Sequence, residues 1–104
     1  MKQIITLFID TSAINTARIA IEINGKRFEK VKESKVMKSQ TTLPMIEEIL
    51  AEHKLNISDI TAITVAMGPG SFTGLRVGAT IANALGYLLD IPVNGKKALA
   101  IPTY

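Results

Sequence analysis

Met67-Gly68-Pro69-Gly70-Ser71-Phe72-Thr73-Gly74-Leu75-Arg76 joins two segments of different character. Before it lies Ile60–Ala66, short, apolar and rich in β-branched residues, as a buried strand would be. After it lies Leu75–Leu89, too long for one strand and rich in Ala and Leu, which predicts a helix. Three glycines and a proline in the seven positions 68–74 make the backbone turn sharply with few side chains around it. Ser71 and Thr73 can each cap the helix that follows, whose positive dipole end then faces the turn. Strand, glycine turn and helix N-terminus together suit an anion. They equally let another backbone come close.

The familiar phosphate and nucleophile motifs fail on spacing. G-x-G-x-x-G would need a third glycine at Thr73, and Gly74 stands one place late. A phosphate-binding Gly-Lys-Ser/Thr is ruled out because Leu75 follows Gly74. Pro69 occupies the first glycine position of G-x-S-x-G.

Toward the N-terminus, Ile4–Ile9 is a nearly continuous apolar run, expected to be a central strand buried on both faces. It ends in Asp10-Thr11-Ser12, at the carboxyl end of a strand, where open α/β sheets bind ligands. These side chains either reach towards a metal-phosphate or simply cap their own turn. Thr16–Ile23 alternates as a half-buried strand, Asn24-Gly25 signals a two-residue hairpin, and Arg27–Glu33 returns antiparallel. A three-stranded meander results, its first strand central and its third an edge.

Thr41-Thr42-Leu43-Pro44 predicts a helix start, with proline in the first turn. Leu43, Ile46, Ile49, Leu50 and His53 follow helical spacing, with Glu47, Glu48 and Glu52 opposite. His53, the single histidine, lacks companions with metal-ligand spacing, so no metal site is expected. Asp90–Val93 predicts a short strand at the far side of the sheet, and Lys96–Ala100 the start of a further helix cut off by Pro102.

Gly74, Gly78, Ala82 and Gly86 recur every four residues along the second helix. An interior glycine costs roughly 1 kcal/mol against alanine, so the stripe calls for compensation by close approach of another backbone. That backbone is either a partner's or the domain's own sheet. Val77, Ile81, Leu85 and Leu88 form a second apolar face.

With 104 residues the chain is long enough for one domain. Its 47% apolar and 20% charged residues are those of a globular protein rather than a disordered one. The absence of cysteine excludes disulfides and thiolate chemistry and fits a reducing cytoplasm. No signal peptide is expected, and the Leu75–Leu89 helix is too short for a bilayer. The net charge of +3 owes much to Lys26, Arg27, Lys30, Lys32, Lys35 and Lys38. A nucleic-acid face is one reading; an edge strand kept soluble by lysines is the better one, since Phe28 alone is interleaved there to stack on bases.

Ile9-Asp10-Thr11-Ser12 and Gly68-Pro69-Gly70-Ser71-Phe72-Thr73-Gly74-Leu75-Arg76-Val77-Gly78 resemble the TsaB (YeaZ-type) proteins, relatives of the TsaD proteins, and the match extends over residues 4 to about 95. The resemblance implies an α/β chain of actin-like ATPase (RNase H-like) fold. It further implies that residues 1–104 are a single domain equivalent to the N-terminal half of such a protein, the second half being absent. It implies a cytoplasmic, noncatalytic subunit serving threonylcarbamoyladenosine formation in tRNA, without cofactor or metal of its own. Implied partners are a second copy, a TsaD-type catalytic subunit and a TsaE-type ATPase, with tRNA contacted only indirectly. Pairing is expected through Gly74, Arg76, Gly78, Ala82 and Gly86. Lys38-Ser39-Gln40 departs from the family's usual His-Ser and removes a would-be ligand. The competing reading is a phosphate- or nucleotide-binding half of an actin-like enzyme, with Asp10, Thr11, Ser12, Gly68, Gly70, Ser71 and Thr73 facing the phosphate. A peptidase, with no cysteine and no metal set, is the weakest reading.

Overall fold

The computed structural model describes residues 3–34 and 38–97. Strands β1 (Ile5–Asp10), β2 (Thr16–Ile23) and β3 (Lys26–Glu33) form the expected meander. Helix α1 (Lys38–Glu52) leads through a short 3₁₀ turn, Ile57–Asp59, to β4 (Ala62–Val65), and helix α2 (Phe72–Leu89) follows. The sheet order is β3-β2-β1-β4, with β4 parallel to β1. The edge and central positions are those the periodicity predicts. Asn24 and Gly25 turn the hairpin at φ 49° and 91°, the left-handed conformations that a two-residue turn demands.

Ile5, Leu7 and Ile9 of β1 and Ile19 and Ile21 of β2 face one way and are almost fully buried, with Met45, Ile46 and Ile49 of α1 in the same core. Leu75, Ile81 and Ala82 bring α2 onto the same side. Phe8, on the other face of β1, is only half-buried, under the Arg27 guanidinium 4.3 Å from its ring centroid. The expectation of a first strand buried on both faces is therefore corrected: the helices among the described residues cover one face.

Two further expectations shift. α1 begins at Lys38, so Pro44 lies inside the helix rather than in its first turn and denies the Gln40 carbonyl its helical donor. Asp90–Val93 forms no strand but a single parallel bridge, Ile63 to Val93. Pro92 has no N–H to give, and Asn94-Gly95, at φ 52° and 81°, turns the chain away at once. The Asn94 side chain then takes over the missing pairing: its Oδ1 accepts from Val65 N–H (2.8 Å) and its Nδ2 donates to Val65 C=O (3.1 Å). Lys96 bridges back to Val93, and the rest of the helix expected over Lys96–Ala100 lies outside the described residues.

Three cations of the basic cluster pair with carboxylates within the domain. Lys30 Nζ pairs with Glu52 at 2.6 Å, Lys32 with Glu48 at 3.2 Å, and Arg27 with Glu29 at 3.6 Å. Lys35 and the Lys38 side chain lie outside the described residues. Those pairings favour the soluble-edge reading over a nucleic-acid face. His53 packs on Phe28, ring centroids 4.2 Å apart, and its Nδ1 lies 2.8 Å from the Ile49 carbonyl. Among the described residues no group of three side chains could hold a metal ion, and no helix is long and apolar enough to cross a membrane.

Candidate functional site

Three pieces of chain meet at the carboxyl ends of β1 and β4: the Asp10–Ser12 turn, the Gly68–Gly70 turn and the first turns of α2. Asp10 Oδ1 accepts from both the N–H (3.0 Å) and the hydroxyl of Ser12, the self-capping arrangement of an Asx turn. Ser12 C=O in turn accepts from Ser71 N–H at 2.8 Å. Gly70 is what allows this approach, because a Cβ there would lie 2.7 Å from the Ser12 carbonyl oxygen. Gly68, at φ 131°, occupies backbone space closed to other residues. Ser71 rather than Thr73 caps α2, its Oγ accepting from Gly74 N–H at 3.2 Å. Thr73 is exposed.

Thr11 is buried and donates to the Gly74 carbonyl. Its hydroxyl sits in the notch left by Gly78, where a Cβ would approach Thr11 Oγ1 to 2.6 Å. Farther along, a Cβ on Gly86 would lie 2.5 Å from a Val93 methyl. So the stripe Gly74, Gly78, Ala82 and Gly86 is buried against this chain's own sheet and the segment after α2. These four residues, through which pairing is expected, pack within the chain itself; of the five, Arg76 alone is exposed. In the same packing the Thr11 hydroxyl donates to the Gly74 carbonyl and the Ser71 hydroxyl accepts from Gly74 N–H. The expected residues do converge, but as a joint between strand and helix.

The outward side of α2 was not singled out by spacing. It carries Phe72 (55% exposed), Arg76, Thr80, Tyr87 (86%) and Leu88 (74%). A groove of about 380 Å³ runs between Phe72, Thr73, Arg76, Val77, Thr80 and Ile81, and the Arg76 guanidinium lies 5.3 Å from the Phe72 ring centroid. The signal for it was the positions of Phe72, Arg76, Thr80 and Tyr87, which fall on the arc of the helix turned away from the glycines. What this face offers is an aromatic and arginine surface rather than a set of reacting groups.

The family model described as TsaD, tRNA N6-adenosine threonylcarbamoyltransferase, matches residues 32–100. The chain belongs to the TsaD family. Among curated relatives, this TsaD-family chain is 37% identical over 93 residues to the tRNA threonylcarbamoyladenosine biosynthesis protein TsaB of Haemophilus influenzae, covering 89% of this chain and 39% of that one. It is 33% identical to TsaB of Buchnera aphidicola subsp. Schizaphis graminum, covering 93% and 46%. A Pseudomonas aeruginosa crystal structure with similarity to peptidase YEAZ superposes with a TM-score of 0.82 at 29% identity, over 86% of this chain and 41% of that one. The TsaD-family chain thus spans less than half the length of the curated relatives it matches. Its fold is the actin-like (RNase H-like) one.

Proposed function

We propose that this chain serves N6-threonylcarbamoyladenosine formation in tRNA as a noncatalytic partner subunit. In this reading it corresponds to the N-terminal half of a TsaB-type protein in the cytoplasm. It docks the outward face of α2 on a TsaD-type catalytic subunit or on a second copy of itself, with a TsaE-type ATPase joining the assembly and tRNA reached only through the partner.

The observation that carries the reading is the apolar outer face of α2, with Phe72, Tyr87 and Leu88 each more than half exposed. Isolated exposed apolar side chains are ordinary, but aromatic residues and an arginine gathered along one helix are the composition of interface anchors. The noncatalytic part is supported by the joint at Thr11, Ser12 and Ser71, whose hydroxyls bond within the chain.

The test is sedimentation of the chain alone and mixed with a TsaD-type subunit, before and after Phe72→Glu combined with Leu88→Glu. We expect the double variant to keep its circular dichroism and to lose pairing by at least about tenfold, since truncated anchors commonly cost about 2 kcal/mol or more. Unchanged pairing by a folded double variant would remove α2 from the interface. Calorimetric titration with ATP-Mg separates this reading from the nucleotide-binding half: heat of binding by the isolated chain would favour the latter.

A further inference from the structure

Asn-Gly occurs twice, at Asn24-Gly25 and Asn94-Gly95, and both pairs turn through the left-handed region. Their side chains are used differently. Asn24 Oδ1 accepts from Ile4 N–H at 2.9 Å, and among the described residues its Nδ2 has no bond. Asn94 uses both ends, Oδ1 towards Val65 N–H and Nδ2 towards Val65 C=O. It thereby continues the outer edge of β4 by one pairing step after the backbone has turned away, since Ile63 N–H and C=O are taken by Pro92 C=O and Asn94 N–H.

We infer that Asn94-Gly95 is a deamidation site which the fold holds shut, and that its conversion loosens the outer edge of β4, whereas conversion of Asn24 to aspartate is tolerated. Glycine leaves the following amide nitrogen unshielded, which is why this dipeptide reacts with itself. The Gly95 nitrogen attacks Asn94 Cγ; the new N–Cγ bond forms as the Cγ–Nδ2 bond breaks, and ammonia leaves with the amide proton. Water then opens the cyclic imide at either carbonyl, giving aspartate or isoaspartate, with no change of oxidation state. In the folded chain the Asn94 carboxamide faces Val65 through two hydrogen bonds, so attack must wait until both are released.

The product decides the consequence. A carboxylate only accepts. At position 24 the aspartate product still accepts from Ile4 N–H, so the side-chain bond is kept. At position 94 it keeps the Val65 N–H but sets a charged oxygen against the Val65 carbonyl, which loses its outer donor. Val65 also lines the notch at Gly78, where its methyl would lie 3.3 Å from an added Cβ, so loosening it reaches the joint beneath α2.

The test incubates the chain at mildly alkaline pH, folded and in denaturant, and follows both sites by peptide mapping. Conversion at Asn94 is expected to be slower in the folded chain by on the order of tenfold or more, the protection given by bonds that must open first. Asn94→Asp should lower the melting midpoint by about 4 to 8 °C at neutral pH, with partial recovery in acid, where the protonated carboxyl regains a donor for Val65 C=O. Asn24→Asp should melt with the wild type. Equal folded and denatured rates at Asn94, or an Asn94→Asp midpoint equal to wild type, would overturn the inference. The wild-type rates decide the matter even if Asn94→Asp does not fold.

Discussion

Thr11 and Gly78 show how little room separates a functional motif from a packing one. The Thr11 hydroxyl lies where a Gly78 side chain would begin, 2.6 Å from an added Cβ, and is stiffly held on a β-branched residue bonded to Gly74. Gly78→Ala should therefore destabilise the domain by about 1–3 kcal/mol through overpacking, despite the roughly 1 kcal/mol that alanine gains as a helix former. In Thr11→Ala the clash is gone, so the cost of Gly78→Ala should fall, giving a measurable coupling in a denaturation double-mutant cycle. Additive costs would mean that the notch is not filled as described. That a hydroxyl caps α2 was legible in the sequence, but the choice of Ser71 over Thr73 was not, because both stand before the apolar helical run. The destination of the glycines was not, because a missing side chain records only that something comes close. Gly86 makes the same point: what it admits is Val93, and nothing in the spacing names it.

Helices and strands were easier to place than their limits. α2 and the meander follow from periodicity and from Asn24-Gly25, whereas the start of α1 was read late because Pro44 suits a first turn better than an interior. A second apolar face of α2 was legible through Leu88, but Phe72 and Tyr87 were not assigned to it, because a helix apolar nearly all round does not say which side the sheet takes. The link between β3 and α1 permits a separate prediction. Glu52, bonded to Lys30 Nζ, raises the lysine pKa above its ordinary 10.5 against an opposing loss of hydration. A raised lysine pKa stabilises the folded state below pH 10.5, and that contribution fades as pH climbs through the folded value. Wild type and Lys30→Met should therefore differ in midpoint at neutral pH and converge at strongly alkaline pH. In about 1 M salt, where screening acts over about 3 Å, the difference should shrink. A difference independent of both would point to the lysine stem packing on the sheet rather than to its charge.

For the molecule as a whole, the meander with its central first strand and edge third strand followed from the sequence, while the one-sided covering of β1 did not, since an apolar run looks the same with one neighbour layer or two. The joint that holds Thr11 against Gly74 spans 63 positions of chain. Everything needed for the meander is available early in synthesis, within residues 5–33, but the latch that fastens β1 to α2 cannot close until the helix exists. Local pairings form ahead of distant ones because distant ones must first pay for closing a long loop. Pulse-labelled refolding should accordingly find the amides of Ile19 and Ile21 protected before that of Ser71, which donates to the Ser12 carbonyl, and simultaneous protection would contradict this order. A newly made chain would thus hold a finished hairpin and an unfastened helix for a time. During that interval the glycine-lined side of α2 and the Ile and Leu face of the meander, later sealed against each other, are both open to neighbouring chains.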